Sequence, residues 1–292
     1  MKRKRIMKKL NVCSYILLTL CITWILQFMP ILLKMDVTDT SVSSFDYASI
    51  FFTIGGLMPT LIGLIFVFAT YSKQQKRDFL KRCFVPTKRS FFCILTALMF
   101  ICLEVMITQL LSVVLFDAQE LGYEGIKLIV SSPYMFFYFL FWGLISGPMS
   151  EEFGWRGYLQ DQLWDKEHIV RNTLLIGFIW GIWHLPLFFY PAQVQYEWIQ
   201  TNPLLGLGFI VNCMTNALVY NVFYILSRRS VFTILFVHMF ENIVLTGAMI
   251  YPFSEAYQNL VIPTTIVIDI IFYLIMSRIC IYKNSLDRIC DE

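Results

Sequence analysis

The chain has 292 residues, of which 58% are hydrophobic, 17% aromatic and only 15% charged, with a formal net charge of +3. A soluble domain carries about 25% charged residues, so the composition excludes an ordinary soluble globule and makes a bilayer the solvent. The positive charge does not form a nucleic-acid patch: Lys2, Arg3, Lys4, Arg5, Lys8 and Lys9 crowd the N-terminus just before an apolar segment, the pattern of a topogenic signal, and no nucleic-acid partner is expected.

Apolar stretches of about 20 residues, the length that crosses ~30 Å of hydrocarbon, follow in chain order. They fall at about 12–33, 47–71, 91–116, 134–152, 173–190, 203–226, 231–251 and 259–277. The first follows a basic run, as a signal peptide would. It is too long for a signal core, and no small-residue cleavage site closes it, so it reads as a retained span. The connections alternate in charge. Lys73, Lys76, Arg77, Lys81, Arg82, Lys88 and Arg89 lie between the second and third spans, Arg228 and Arg229 between the sixth and seventh, and Arg278 and Lys283 after the eighth. The other connections carry Asp36, Asp39, Asp46, Asp117, Glu120, Glu124, Glu197 and Glu255 with few basic residues. Basic connections stay on the cytoplasmic side. The expected fold is therefore all-α: a polytopic membrane helix bundle of eight spans, both termini cytoplasmic, as one domain over 1–292. The basic stretch from Lys73 to Arg89 reads as a topogenic loop, with an interfacial helix carrying Phe79, Leu80, Phe84 and Val85 as the other reading.

The eight cysteines are Cys13, Cys21, Cys83, Cys93, Cys102, Cys213, Cys280 and Cys290, and none forms a CxxC pair. They read as packing residues or free thiols, not as a zinc cluster or a disulfide frame.

Charged groups at bilayer depth are costly unless paired or hydrated, so function is sought there. Ser150-Glu151-Glu152-Phe153-Gly154-Trp155-Arg156 closes the fourth span. On a helix Glu152 and Arg156 are i,i+4 neighbours and can pair, while Glu151 points about 100° away. One acid is thus neutralised and the other is free to act as a general base; a polar helix end is the plainer reading. In Trp180-Gly181-Ile182-Trp183-His184-Leu185-Pro186, Trp180 and His184 share a face, and Pro186 cannot donate to the carbonyl of Ile182. His184 then lines a hydrated cavity or bonds a neighbouring helix. In His238-Met239-Phe240-Glu241-Asn242, His238 and Asn242 lie one turn apart and could both donate to an oxyanion or bond between helices. Glu241 takes another face and no role is evident for it. His168, among Asp165, Lys166 and Glu167, reads as a solvated loop residue. Glu104, Asp269, Asn212 and Asn216 read as groups that support the site or the structure; Glu104 and Asp269 read as interhelical pairing, with a transport pathway as the other reading. The fourth helix is expected to continue through Glu151 and Arg156 to about Leu159. That would place Glu151, His184, His238 and Asn242 around one polar cavity in the cytoplasmic half of the membrane.

The three elements in this order, EExxxR, aromatic-xxx-His and HxxxN, resemble the CPBP family of CAAX proteases and bacteriocin-processing (Abi) enzymes, which includes the type II CAAX prenyl endopeptidases. The motif-bearing core covers about 134–250. One departure is Trp180 where Phe is often described; the aromatic wall is kept. The resemblance implies an intramembrane endopeptidase in which Glu151 activates water, His184 assists, Glu152 and Arg156 support the site, and His238 and Asn242 stabilise the oxyanion. It implies a membrane-associated peptide or protein substrate that can be lipidated, a bacterial cell membrane, and a site opening to the cytoplasm. The family is commonly labelled as metalloproteases. Glu151, His184 and His238 could form a His₂Glu zinc site, and a metal-free base mechanism fits the same residues. Bacteriocin self-immunity or membrane scaffolding without proteolysis is the alternative function.

Overall fold

A computed structural model of the chain describes residues 2–38, 46–116, 124–244 and 255–291. Asp39, Asp117, Glu120 and the expected end of the seventh span at 245–251 lie outside the described residues. So do the side chains of the Lys2 to Lys9 run and of Glu124, Glu255, Cys280 and Cys290.

The described structure is all-helical. The helices are α1 (Lys2–Leu32), α2 (Tyr47–Thr70), α3 (Lys73–Phe84), α4 (Lys88–Phe116), α5 (Glu124–Val130), α6 (Pro133–Ile145), α7 (Pro148–Glu152), α8 (Gln160–Gln162), α9 (Ile169–Trp183), α10 (Val194–Thr201), α11 (Leu204–Leu226), α12 (Val231–Glu241), α13 (Glu255–Met276) and α14 (Cys280–Asp291). Among the described residues six helical stretches are long and apolar enough to cross a membrane: Asn11–Leu32, Tyr47–Thr70, Lys88–Phe116, Lys166–Phe189, Leu204–Leu226 and Ala256–Met276. Their outward faces are large and apolar, with Leu17, Ile65, Phe92, Met99 and Leu207 exposed, as lipid-facing side chains are. The chain is a multi-pass membrane helix bundle.

The two remaining apolar stretches are shorter. Val231–Val244 is one. The other, expected at 134–152, is α6 and α7 separated by a break at Ser146 and Gly147. Pro148 causes it: a proline has no N–H to give the preceding turn, and it drives the residue before it out of helical geometry. Gly147 takes φ −130°, ψ −66°. Beyond α7 the backbone stays helical, as expected, but as a π-helix over Phe153–Leu159 that runs into α8. All seven residues of the π-helix are buried. π-Turns are rare and concentrate at functional sites.

Gly154 explains how this segment reaches the centre. A β-carbon there would collide with the carbonyl of Pro59, and one on Gly63 would stand 2.9 Å from Gly154 Cα. The absence of both side chains lets the π-helix and α2 pack backbone to backbone, the small-residue contact that membrane helices use. Around that crossing Trp155 meets Tyr15 and Trp183 edge-on at 5.8 and 6.1 Å between ring centroids. Trp183 Nε1 donates to Thr23 Oγ1 at 2.9 Å, and Thr23 in turn donates to the Gly55 carbonyl at 2.9 Å.

The basic stretch, expected as a loop with a helix as the other reading, is helix α3 over Lys73–Phe84, opened by a reciprocal cap between Ser72 and Gln75. Phe79, Arg82 and Cys83 are buried beneath it, so protein contacts order it. Arg82 reaches Asp161, which also takes Arg229 Nη2 at 2.7 Å. Burial pushes the Cys83 thiol up to about 12. The described cysteines at 13, 21, 83, 93, 102 and 213 are free, in line with their reading as packing residues or free thiols: Cys83, Cys93 and Cys213 are buried, and Cys13 and Cys21 are exposed.

Candidate active site

Four elements deliver the site. α7 presents Glu151 and Glu152, the π-helix presents Arg156, the last turn of α9 presents Trp180 and His184, and α12 with the turn after it presents His238 and Asn242. α9 stops at Trp183 and passes into a 3₁₀ turn over Leu185–Phe189, the local break that Pro186 demands. That break puts His184 at the helix end, 8% exposed.

Glu152 is fully buried, and one of its oxygens serves two donors. Oε1 accepts from Arg156 Nη1 at 2.9 Å and faces His238 Nδ1 at 2.7 Å. The i,i+4 pairing expected for Glu152 and Arg156 is present. The Arg156 guanidinium is also held between two rings, 4.6 Å from the Trp180 centroid and 4.5 Å from that of Tyr220. A cation over aromatic faces recovers part of its lost hydration.

Glu151 is buried in a different setting. Its Oε2 accepts from Trp180 Nε1 at 2.5 Å, while its Oε1 faces Gly147. A β-carbon on Gly147 would stand 3.7 Å from Glu151 Oε1, 3.4 Å from His238 Nε2 and 2.6 Å from Asn242 Nδ2. A carboxylate oxygen, an imidazole nitrogen and an amide nitrogen therefore converge on one point, and the break residue Gly147 leaves that point free of a side chain.

Trp180 links this point to His184. Its Nε1 binds Glu151, its carbonyl accepts from His184 Nδ1 at 2.8 Å, and its ring lies 5.7 Å from the rings of both His184 and His238. The two histidines are oriented alike. Each commits Nδ1 to an oxygen, His184 to a backbone carbonyl and His238 to a carboxylate, and His238 turns its Nε2 towards Gly147. Glu151, Glu152, Arg156, His184, His238 and Asn242 are thus brought together.

Several participants were not singled out from sequence. Gly147 and Tyr220 had no local signal beyond Pro148 and the aromatic content of α11. Glu241, for which no role was evident, accepts from Asn216 and from Tyr220, so it secures the ring that covers Arg156. Behind it lies a second polar layer. Asp269 accepts from Thr215 Oγ1 at 2.8 Å, Asn212 Nδ2 donates to Thr265 at 2.9 Å, and Glu104 is buried beside the same layer. For Asp269 this is the interhelical pairing expected of it. His168 is exposed and bonds Asp165 at 2.9 Å, apart from the site.

Among the described residues no group of three or more His, Cys, Asp and Glu side chains converges to hold an ion. As placed, Glu151, His184 and His238 do not form the His₂Glu set that zinc requires.

A family model described as type II CAAX prenyl endopeptidase Rce1-like matches residues 133–244, which span the site from the start of α6 to the turn after α12. The CAAX prenyl protease 2 of Methanococcus maripaludis is 25% identical over 239 residues, covering 80% of this chain and 84% of that protein. The chain is similar, at modest identity over most of its length, to CAAX-type proteases, and a protease-like enzyme is the activity class this similarity supports.

Proposed function

We propose that the chain is an intramembrane endopeptidase of the CPBP type, hydrolysing a peptide bond near the C-terminus of a membrane-associated peptide or protein, lipidated in the CAAX manner. The observation that carries this reading is the convergence of Glu151 Oε1, His238 Nε2 and Asn242 Nδ2 at Gly147. A base and two hydrogen-bond donors around an open point are what acyl hydrolysis needs.

In this mechanism Glu151 Oε1 takes a proton from water while Trp180 steadies Oε2. His184, with Nδ1–H given to the Trp180 carbonyl, offers Nε2 as an acceptor that orients the same water. The oxygen of that water attacks the scissile carbonyl carbon. The charge that develops on the carbonyl oxygen is met by Asn242 Nδ2–H and by His238 Nε2–H. Because His238 also donates Nδ1–H to Glu152, it acts in the doubly protonated form, and the Glu152 carboxylate balances its charge. The C–N bond then breaks, and the amine leaves with the proton held on Glu151.

The topology belongs to the same proposal. Eight membrane segments, with α6–α7 and α12 as the short ones, keep both termini and the mouth of the site on the basic, cytoplasmic face of a bacterial cell membrane.

The test uses purified protein in phospholipid vesicles, supplied with prenylated and unmodified C-terminal peptides, and detects fragments by mass spectrometry. Intact protein should cleave, whereas Glu151→Gln and His184→Ala should not, with unfolding temperatures close to the parent's. No cleavage of either peptide, with or without added zinc, would sink the proposal. If cells kept protection against a bacteriocin with Glu151→Gln, binding without hydrolysis would be the function.

A further inference from the structure

A groove of about 560 Å³ lies away from the catalytic point, at the membrane boundary where α4 begins and α11 and α13 end. Its wall is apolar, built from Phe92, Phe223, Leu226, Phe272, Met276 and Ile281. Its mouth is cationic. Lys88 and Arg89 occupy the first turn of α4, a 29-residue helix with no acidic residue in that turn. The positive end of the helix dipole adds to both side chains there. Ordinary helices place acids at this position, so two cations there ask for an anion. Thr96 and Asn284 also line the groove.

Helix α14 closes one side. Tyr282, Ser285 and Ile289, on one of its faces, are buried against the bundle, while Ile281 remains 67% exposed beside the groove. An apolar slot open to the hydrocarbon, with a double positive charge at the depth of the headgroups, has the shape and polarity of a phospholipid.

We propose that this groove is a binding site for one anionic phospholipid, an acyl chain lying along Phe92, Phe223 and Phe272 and the phosphate held by Lys88, Arg89 and the start of α4. Basic pockets at helix ends select anionic headgroups in this way. A zwitterionic lipid would bring its own cation to Lys88 and Arg89. A second copy of the chain would bring its own Lys88 and Arg89 to the same membrane face, so like charges would oppose it. The site is independent of the proposed proteolysis.

Native mass spectrometry of the full detergent-purified chain, titrated with phosphatidylglycerol and phosphatidylcholine of the same acyl chains, tests this. One phosphatidylglycerol should be retained, about tenfold more tightly than phosphatidylcholine. Lys88→Ala with Arg89→Ala should weaken it roughly 25-fold, from about fivefold for each basic residue. Thr96→Trp, which fills the groove from its rim, should weaken both lipids. Lys73→Ala with Lys76→Ala removes the same charge from α3, outside the groove, and should change nothing. Equal retention of the two lipids, an equal loss in the α3 variant, or a dimer that forms in place of lipid binding would each overturn the proposal.

Discussion

Glu152 Oε1 lies 2.7 Å from His238 Nδ1, joining α7 to α12 across 86 residues of chain. The same oxygen binds Arg156, so Glu152 has both a structural and an electrostatic task, whereas the Glu151 carboxylate takes the neutral Trp180 indole N–H. The two adjacent acids should therefore respond differently to the same change. Glu152→Gln leaves the Arg156 charge uncompensated at a buried site, at a cost of about 3–5 kcal/mol, and should lower the unfolding temperature in detergent clearly. Glu151→Gln keeps an acceptor for Trp180 and should leave that temperature nearly unchanged while cleavage disappears. Equal unfolding temperatures for the two variants would contradict this division.

Trp180 should contribute to rate through its N–H. Trp180→Phe retains an aromatic ring over Arg156 but removes the donor to Glu151 Oε2. A hydrogen bond to a charged group contributes about 1.5–3 kcal/mol, so kcat should fall by roughly 10- to 100-fold with little change in KM. A rate within twofold of the parent would make Trp180 a packing residue only.

Much of this site was legible in the sequence because it rests on local spacing. The Glu152–Arg156 pair, the shared face of Trp180 and His184, and the proximity of His238 to Asn242 all follow from the 3.6-residue turn. Hydropathy located the long helices because both lipid-facing and interior helices are apolar along their length: α11 is mostly buried in the bundle and α13 mostly exposed, yet both are apolar enough to cross a membrane. What it could not show is how a short apolar stretch is bent. The residues 134–152 are apolar enough for a span, yet Pro148 splits them, and that split turns Glu151 and Gly147 towards α12. Long-range partners were equally hidden. Glu241 finds Asn216 and Tyr220 on α11, and Asp161 gathers Arg82 and Arg229 from distant turns. Nothing in the local sequence of either acid marks such partners. The basic run at 73–89 shows the opposite error: its charge suggested a loop, but the pairing of Arg82 with Asp161 and the burial of Phe79 make most of it a docked helix.

Two glycines should separate stability from activity. Gly154→Ala drives a methyl group into the Pro59 carbonyl, which belongs to a helix backbone and cannot rotate aside. Overpacking of this kind costs about 1–3 kcal/mol or more, so the protein should unfold at a visibly lower temperature. Gly147→Ala would instead fill the space in front of Asn242, His238 and Glu151. Its main effect should be loss of cleavage, read in the same vesicle assay, with a smaller change in unfolding temperature than Gly154→Ala produces. The reverse ranking would remove Gly147 from the site.

Cys83 offers a test of the docking of α3. With its thiol pushed up to about 12 by burial, only about one molecule in 10⁴ carries the thiolate at pH 8. The reactive form appears only as pH rises towards that value, so alkylation at pH 8 should spare Cys83 in the folded protein and modify it after denaturation. Peptide mapping by mass spectrometry reads the difference. Rapid labelling of Cys83 in folded protein would mean that α3 is not held against the bundle.

The hold on α3 comes from Asp161. It accepts from Arg82 and Arg229, and it lies 3.3 Å from the Tyr224 hydroxyl and 3.4 Å from that of Tyr71. α2, α3, α8 and the turn between α11 and α12 therefore meet at one carboxylate. Arg228 and Arg229 both take positive φ in that turn, a conformation disfavoured for residues with a side chain, and the bond from Arg229 to Asp161 helps to hold it. Asp161→Ala would leave the buried Arg82 with only Asp78 as its acidic partner, and Arg229 with only its 4.0 Å approach to the same Asp78. A loss of about 3–5 kcal/mol is expected for breaking a buried pair. Because the turn leads directly into α12, the change should also displace His238 and lower cleavage, and Cys83 should become reactive in the same variant. Loss of stability with Cys83 still protected would separate the carboxylate from the docking of α3 and disprove the coupling.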